Sequence, residues 1–499
     1  MVVQMKQFTA LVILVALLVS AVPARAVGET VGTITPGAQP FISFVVVEGV
    51  EVSRLKSVSF TIAPKSGATA RAITGTYSKK YLLSRGYVSG TSVTVPVYGL
   101  YPNRTNQVQI QVSGSRRVTL VTEIVTDPFT GGDGRFNPGG YEVITARNPS
   151  VRLDYSYFML KSTLSGNSPL ILDIDGEVRW AGTAGLCSQG AMLFENGIYA
   201  DDACGWNSGS TVYRMELDGT YQSVVDLSSV DVWGLHHNYD PGKRGILVEV
   251  NRNDGSGNSN EESFIYELSG SGAILDSWDL SAIFRAHLRR GGEDPDPWVR
   301  NGHDWFHNNS VTYWRQQNQI VVSSRENFVV GIGYTDKKIK WILGDSSKAW
   351  HDYASLRRVA LTLVGDTIAP MGEHGLSITS RGELMLFDNG EQSYNQSPLR
   401  AGDDRSYSSP RRYSLDLRRM RATETWNWDR DQTINSPICS SIYQDGNSYL
   451  VDYASESWGA TRLVGLGRND EIAFEYRYPG VCDTGWNAVP VHIESISFK

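Results

Sequence analysis

Three short segments of the chain place histidine among polar residues in a pattern that suggests chemistry. They read "GLHHNYDP", "DWFHNNSVTYW" and "MGEHGLS", and together they hold four of the eight histidines. A neutral imidazole can act as a nucleophile or base near neutral pH, and an imidazolium can donate a proton. A buried structural role also fits each histidine taken alone. The candidate catalytic residues are His236, His237, His307 and His374.

An arginine interrupts another strand-like segment, "IVVSSRENFVVGIG". Arginine is seldom fully buried without a partner, so Arg325 either extends to water or meets an anion. In combination with the histidines, its planar fork of donors favours an anion site. Asn309 can add an amide donor to that site, and Trp305 can pack its wall or stack on an aromatic substrate.

The sequence does not predict a metal site. His303 and His307 are four residues apart, which would place two ligands on one face of a helix. The residues that follow are strand-like, however, and the chain lacks the HExxH arrangement. One alternative is still a metal-dependent hydrolase that uses His236, His307 and His374.

The candidate residues are far apart in the chain, so the fold must bring them together. Beyond Leu170 a strand, a polar turn and a second strand recur in six copies, at a spacing close to that of four-stranded propeller blades. We therefore predict an all-β chain with a six-bladed β-propeller over residues 161–499. The innermost strands of all blades face one channel, where the histidines can converge. The copies begin at Leu170, Val212, Phe264, Val329, Arg412 and Arg462.

Residues 27–130 form a different pattern. They read as short alternating strands broken by Gly, Pro and Asn, which predicts a small N-terminal β-sandwich. A Gly-rich stretch follows, and we predict a linker over residues 131–160.

The first residues predict export from the cytoplasm. Residues 1–26 combine a basic start, a short apolar core and small residues around Ala26, as in a cleavable secretory signal. The expected location is the periplasm, where the four cysteines can form disulfides. The simplest pairing joins Cys187 with Cys204 and Cys439 with Cys482, although four cysteines allow three connectivities.

Composition narrows the classes of partner. The formal net charge is −7 and the chain has no long run of Lys or Arg, so we expect no nucleic-acid partner. After the signal no segment reaches the roughly 18 consecutive apolar residues of a transmembrane helix, so we expect no membrane partner.

The ordered motifs resemble a known family. The block "DWFHNNSVTYW…QIVVSSRENFVVGIGYTDKKIKWILGD", with "GLHHNYD" before it and "GEHGLSITSRGELMLFDNG" after it, resembles the bacterial aryl-sulfate sulfotransferases that use no nucleotide sulfate donor. That family shares the N-terminal sandwich and the six-bladed propeller, so the resemblance extends over most of the chain.

The resemblance implies transfer of a sulfuryl group from a phenolic sulfate ester to a phenol through a sulfated histidine, in a ping-pong reaction without cofactor or metal. It places the nucleophile at His374 and supporting groups at His307, Arg325, Asn309 and one of His236 and His237. One feature departs from the family, because the active-site disulfide of some members has no counterpart just before His374.

The residues also leave room for other functions. A non-catalytic periplasmic propeller that binds or assembles other molecules would need the channel histidines only as structural groups. The metal-dependent hydrolase is the second alternative. The sequence leaves open the natural donor and acceptor and the oligomeric state, for which a homodimer is one expectation.

Overall fold

The computed structural model describes residues 28–162, 166–203, 209–253, 259–300 and 302–499. The predicted signal, residues 1–26, lies outside these ranges, and so does Cys204. None of the helices in these ranges is long and apolar enough to cross a membrane.

The N-terminal unit contains two sheets with alternating buried and exposed residues. In one strand Val58, Phe60 and Ile62 point inward while their neighbours are partly exposed, as a half-buried strand requires. The strands are β1 (Thr30–Pro36), β2 (Ile42–Glu48), β3 (Ser57–Ile62), β4 (Ile73–Ser78), β5 (Val88–Ser89), β6 (Ser92–Tyr98), β7 (Thr105–Ser113) and β8 (Arg117–Val125). One sheet has the order β1-β2-β6-β5, and the other contains β4-β3-β7-β8. The predicted sandwich is confirmed.

The next part of the chain forms six further sheets within the described ranges. The strands that begin it are β9 (Glu142–Thr145), β10 (Tyr157–Lys161), β11 (Leu170–Asp173) and β12 (Val178–Ala181). The second sheet contains β13 (Ala191–Phe194), β14 (Gly197–Asp201), β15 (Thr211–Glu216) and β16 (Tyr221–Asp226). The third contains β17 (Val232–Pro241), β18 (Ile246–Asn253), β19 (Ser259–Leu268) and β20 (Ile274–Asp279).

Three sheets and the C-terminal strands complete this unit. The fourth sheet contains β21 (Asn308–Trp314), β22 (Gln319–Ser324), β23 (Phe328–Gly333) and β24 (Ile339–Leu343). The fifth contains β25 (Thr362–Leu363), β26 (His374–Ile378), β27 (Leu384–Asp388), β28 (Ser409–Asp416) and β29 (Arg421–Asn427). The sixth contains β30 (Ser441–Asp445), β31 (Ser448–Glu456), β32 (Ala460–Leu466) and β33 (Ile472–Pro479). The chain ends with β34 (Asn487–Val491) and β35 (Ser495–Phe498).

The described helices are short and lie between strands. They are α1 (Lys79–Ser84), α2 (Leu280–Arg290) and α3 (Ala354–Arg357), with 3-10 turns at Val52–Arg54, Gly132–Gly134, Leu227–Val230, Ala349–Asp352 and Arg430–Gln432. Each of the six sheets described above is one blade, and together they form the predicted all-β propeller.

The last strands close the ring and join the two units. Strand β34 pairs with β10 and becomes the inner strand of the first blade, whose other strands come from the start of the propeller. Strand β35 instead pairs in parallel with β4 of the sandwich, where Phe498 stacks on Tyr77 with ring centroids 4.8 Å apart. Closure by a distant strand covers edges that would otherwise stay unpaired.

These pairings correct the predicted boundaries. Strands β9 and β10 fall in the predicted linker, but β9 is the fifth strand of the sixth blade and β10 belongs to the first. Residues 495–498 fall in the predicted propeller but pair with the sandwich. The Gly-rich stretch before β9 suggested a linker, and the pairing of β9 with β33 and of β10 with β34 joins residues more than 300 positions apart, which local composition cannot indicate.

We expect ring closure to depend on β34 and not on β35. Deletion of residues 494–499 removes the buried side chains of Ile496 and Phe498 and should cost about 4 kcal/mol or more, while unfolding stays cooperative. Deletion of residues 487–499 also removes β34 and should leave no cooperative transition. Thermal unfolding followed by circular dichroism measures both, and a cooperative transition in the longer deletion would contradict this role of β34.

Candidate active site

The three histidine segments lie at corresponding positions of successive blades. Each begins an inner strand or lies within its first half, in β17, β21 and β26. The pairing register of these strands shifts immediately after His236, Asn308 and His374. An extra residue at such a bulge turns a side chain away from its regular direction, and here it directs polar groups into the channel.

The backbone at these bulges adopts the left-handed conformation. The φ angles are +55° at His237 and +53° at His307, where side chains with a Cβ are rarely found. Gly375 has φ +60°, and a Cβ at this position would lie 2.9 Å from the Cα of Ser441. Strained conformations of this kind persist where surrounding contacts hold them, and they concentrate at functional sites.

A cavity of about 610 Å³ opens where the bulges converge. Five of the predicted residues line it: His236, His237, His307, Arg325 and His374. The structure therefore brings together both members of the histidine pair. The other lining residues are Gln189, Trp233, Asn251, Glu261, Glu262, Asp304, Tyr394, Asn395, Ile438, Cys439, Trp458 and Trp486.

His237 lies at the centre of the imidazole cluster. Its ring centroid is 4.9 Å from that of His307, 5.1 Å from that of His236 and 6.2 Å from that of His374. Groups from three blades are thus within reach of one small anion.

The hydrogen bonds of His374 determine which of its nitrogens carries the proton. Nδ1 lies 2.8 Å from Oδ1 of Asn389 and 3.1 Å from the carbonyl oxygen of Gly372. A carbonyl oxygen only accepts, so Nδ1 must donate. The lone pair of neutral His374 is consequently on Nε2.

The orientation of Asn389 is itself fixed. Its Nδ2 donates to the carbonyl oxygens of Ser436, at 2.6 Å, and Cys439, at 3.1 Å. Because the amide nitrogen has two acceptors, the amide oxygen is the atom that faces His374. Asn389 lies just after β27 and is fully buried, so it links the fifth and sixth blades behind the cavity.

His307 has the opposite environment. Its Nδ1 lies 2.5 Å from Oδ2 of Asp304 and 2.7 Å from Oε2 of Glu262. The same Oε2 atom is 3.2 Å from Nε2 of His237. Two carboxylates on one ring nitrogen favour the imidazolium, whose Nε2–H is then left for another acceptor.

Burial and carboxylates drive the pKa values of the imidazoles apart. Burial lowers the pKa of His374 well below its ordinary value, and nearby His237 lowers it further. Burial also lowers the pKa of His237, and that of His236 to about 3. Burial acts on His307 in the same direction, but Asp304 and Glu262 outweigh it and raise its pKa well above the usual range.

The partner carboxylates respond in different ways. Burial alone would raise the pKa of Glu262, but the three neighbouring imidazoles hold it well below its usual value. Burial raises the pKa of Asp304 to about 6, against the lowering effect of His307. Glu262 therefore stays ionised to lower pH than Asp304 does.

Arg325 has a free donor in this setting. Its Nη1 bonds Oε1 of Glu326 at 2.7 Å, and its guanidinium lies 3.4 Å from the ring centroid of Tyr394. Nη2 is buried and has no partner among the described residues. A buried unpaired donor is costly unless a ligand satisfies it, which supports the predicted anion site.

Two predicted residues lie outside the cavity wall. Trp305 is 1% exposed and packs against Trp298 and Phe284, so it is a core residue of the blade. Asn309 points away from the cavity and donates from Nδ2 to the carbonyl oxygen of Glu373 at 2.8 Å. The register shift between Asn308 and Ser310 lies at Asn309 and can change the face on which this side chain projects.

Asn309 and Glu373 support the strand that carries the candidate nucleophile. The carbonyl oxygen of Glu373 also accepts from Oγ of Ser323 at 2.9 Å. The carboxylate of Glu373 accepts from the same hydroxyl at 3.2 Å. Asn309 therefore does not line the cavity and supports β26 through the carbonyl oxygen of Glu373.

Sequence reasoning missed several residues of the site. Asn389 lies in "LFDNG", a segment that carried the resemblance, and that segment was the available signal. Asp304 precedes His307 by three residues in "DWFHNNSVTYW", but the sequence alone suggested no catalytic role for it. Glu262 and Tyr394 lie in segments with no distinctive pattern, and only the fold places them in the cavity.

One predicted disulfide is part of the cavity wall. Cys439 and Cys482 are bonded, with Cα atoms 6.2 Å apart, which confirms that pairing. Cys439 lines the cavity, and its carbonyl oxygen is one of the two acceptors for Asn389. The cavity that contains the candidate nucleophile thus has a disulfide in its wall. Both cysteines follow His374 in the sequence, whereas the family comparison looked for a disulfide just before His374. The second predicted pairing involves Cys204, which lies outside the described residues.

Two groups of side chains in the described part of the chain are close enough to share a cation. They are His236, His237 and Glu262, and Glu262, Asp304 and His307, each with ligand atoms within 4.8 Å of one another. His374 belongs to neither group, so the trio considered for a metal-dependent hydrolase is not the set that the fold brings closest together.

Comparisons with known proteins agree with this geometry. The Arylsulfotransferase (ASST) family matches residues 143–477, and its Ig-like domain matches residues 44–127. The β-propeller domain of Cps50 (Swd1) from Myceliophteria thermophila covers 66% of this chain and 87% of its own, with 8% identity and a TM-score of 0.35. A TM-score this low does not identify a shared fold, so the fold of this chain is assigned from the sheets described above.

Two curated proteins are similar in sequence. Arylsulfate sulfotransferase AssT of Escherichia coli O6:H1 is 27% identical over 44% of this chain and 43% of its own length. The protein of the same name from Lelliottia amnigena is 25% identical over 50% of this chain and 47% of its own. The chain thus spans less than half the length of either relative. Because the family matches cover both of its units, the chain belongs to the arylsulfotransferase family.

Proposed function

We propose that the protein transfers a sulfuryl group from a phenolic sulfate ester to an acceptor phenol, in a ping-pong reaction through a sulfated His374. One observation carries the proposal. Two acceptors hold the proton of His374 on Nδ1, so its Nε2 lone pair is available in a cavity that also contains an imidazolium and an unpaired guanidinium donor. Membership of the arylsulfotransferase family supports the choice of substrate.

In the first half-reaction the lone pair on Nε2 of His374 attacks the sulfur of the donor. The bond between sulfur and the aryl oxygen breaks, and its electron pair leaves with that oxygen. The phenolate takes the Nε2 proton of His307, which becomes neutral while it keeps its Nδ1 proton. The sulfated ring of His374 carries a positive charge, which the oxygens of Asn389 and Gly372 stabilise at Nδ1–H.

The second half-reaction reverses these steps with a different phenol. The acceptor hydroxyl gives its proton to Nε2 of His307, and its oxygen attacks the sulfur. The bond between sulfur and Nε2 of His374 breaks, and its electron pair returns to the ring. One nucleophile and one proton carrier therefore serve both substrates.

The charge of the transferring group requires positioned donors. Sulfuryl transfer resembles phosphoryl transfer, because negative charge spreads over three equatorial oxygens while the attacking and leaving atoms lie nearly in line. Arg325 offers Nη2, and His236 offers ring nitrogens that have no partner among the described residues. His237 is already engaged by Glu262, so His236 is the better donor of the pair.

Part of the cavity wall suits an aromatic substrate. Trp233, Trp458 and Trp486 line it, and the first two are 41% and 57% exposed. Indole rings offer large faces for stacking on a phenyl ring. These residues replace Trp305 in the role that the sequence suggested.

The cellular location is part of the same proposal. The predicted signal at residues 1–26 and the disulfide between Cys439 and Cys482 both suit the oxidising periplasm. Phenolic sulfates and phenols are small molecules, so the reaction requires neither a nucleic-acid nor a membrane partner.

We expect His374 to carry the sulfuryl group. Mixing the enzyme with p-nitrophenyl sulfate labelled in the sulfur should give a burst of p-nitrophenol, and label should appear on the peptide that contains "MGEHGLSITSR" under alkaline work-up. His374→Asn should abolish burst and label, whereas His307→Asn should slow labelling without moving it. Label on another peptide would contradict the assignment.

The pH dependence of the burst should show a plateau across pH 6.5. The pKa of His374 is lowered, so the nucleophile stays neutral at pH values below its ordinary pKa of about 6.5. The pKa of His307 is raised, so the proton donor stays charged above that value. The acid limb should therefore lie below pH 6.5 and the alkaline limb above it. Two unperturbed imidazoles would instead give a narrow maximum near pH 6.5, and rapid-quench rates distinguish the two profiles.

Activity should survive exhaustive chelation. The mechanism assigns the carboxylate-bound nitrogen of His307 to a proton, so removal of divalent cations by EDTA should leave the transfer rate from p-nitrophenyl sulfate to phenol unchanged. The control is the same protein dialysed without chelator. A loss of activity that zinc restores would favour the metal-dependent hydrolase.

A further inference from the structure

Glu262 lies in the candidate active site, but the proposed reaction assigns it no role. It lies on β19, in the third blade, and its Oε2 faces both Nε2 of His237, at 3.2 Å, and Nδ1 of His307, at 2.7 Å. His237 comes from the same blade and His307 from the segment that leads into the fourth. One carboxylate oxygen therefore joins two elements of the site.

The backbone of Glu262 is held in place for this contact. Its φ is +40°, a conformation that non-glycine residues seldom adopt, and its N–H donates to Oδ1 of Asn251 at 2.7 Å. The backbones of Glu262, His237 and His307 all have positive φ angles. Oε2 of Glu262 contacts both imidazoles. Strain at three linked positions is consistent with a functional contact and is not required for packing a strand.

Asp304 provides a second carboxylate for His307 but not for His237. Its Oδ2 lies 2.5 Å from Nδ1 of His307 and also accepts from Nδ2 of Asn395 at 2.6 Å. Nδ1 of His307 carries one hydrogen, which the two carboxylates share. Asp304 and Glu262 together fix the charge and the direction of the ring, and of the two only Glu262 also contacts His237.

We propose that Glu262 is a positioning residue that holds His237 and His307 together and retains the proton on Nδ1 of His307, so that the Nε2–H of His307 points at the departing phenolate. This inference rests on the proposed sulfuryl transfer. The balance of the step is unchanged: the Nε2 proton moves to the phenolate oxygen, and the Nδ1 proton stays between His307 and the two carboxylates.

The proposal predicts a dependence on the leaving group. Phenol has a pKa of about 10, so phenolate needs a proton as it leaves, whereas p-nitrophenolate is a much weaker base and leaves with little assistance. Loss of Glu262 should therefore slow phenyl sulfate more than p-nitrophenyl sulfate. A purely structural role would slow both donors alike, because it would disturb the cavity without regard to the leaving group.

The experiment compares Glu262→Gln with Glu123→Gln in burst measurements on the full chain. Glu123 lies exposed on β8 of the sandwich and does not line the cavity, so the same substitution there is a matched control. In Glu262→Gln the burst rate with phenyl sulfate should fall about 100-fold, the lower end of the effect of a proton donor, and clearly less with p-nitrophenyl sulfate. KM for both donors should change little, and Glu123→Gln should resemble wild type.

Equal losses with both donors in Glu262→Gln would overturn the proposal. If that variant does not fold, Asp304→Asn removes the second carboxylate from the same nitrogen and should show the same selectivity to a smaller degree; equal losses there would overturn it too. Absence of any transfer in the wild-type protein would instead refute the proposed function, so the two failures are distinguishable.

Discussion

The hydrogen bond between Asn389 and His374 is the contact on which the geometry of the site depends. Asn389 can present its oxygen to the imidazole only because Ser436 and Cys439 occupy its nitrogen. Those carbonyls come from the segment that precedes β30, so the sixth blade must be in place before the fifth can orient its histidine. The closed ring therefore stabilises the fold and also fixes the tautomer of His374, the proposed nucleophile.

The same burial produces opposite charge states in neighbouring imidazoles. In the interior, desolvation penalises a charged ring, and it leaves His236, His237 and His374 neutral. Two carboxylates reverse the outcome at His307. The proposed nucleophile, which must be neutral, and the proposed proton donor, which must be charged, can thus act at the same pH, although they are the same residue type in one cavity.

Bulges reconcile regular strands with a catalytic cavity. A regular inner strand alternates its side chains between two faces, so it cannot direct two neighbouring residues at the axis. The register shifts after His236, Asn308 and His374 release that constraint, and left-handed residues at the same places absorb the change of direction. Contacts with the surrounding blades offset the free-energy cost of this backbone strain.

The sequence alone determined the all-β fold, the N-terminal sandwich, the family and the five residues that line the cavity, because strand patterns and ordered motifs are local. Trp305 was assigned to the cavity for its aromatic ring and Asn309 for its amide donor and the family resemblance, whereas the fold places Trp305 in the core of the blade and directs the amide of Asn309 to the carbonyl oxygen of Glu373. The roles of Glu262, Tyr394 and the disulfide at Cys439, and the strands inside the predicted linker, were decided only by the tertiary structure. The physical reason is that hydrogen bonds, ion pairs and strand closure join residues far apart in the chain, and single-sequence patterns carry no information on which distant partners meet.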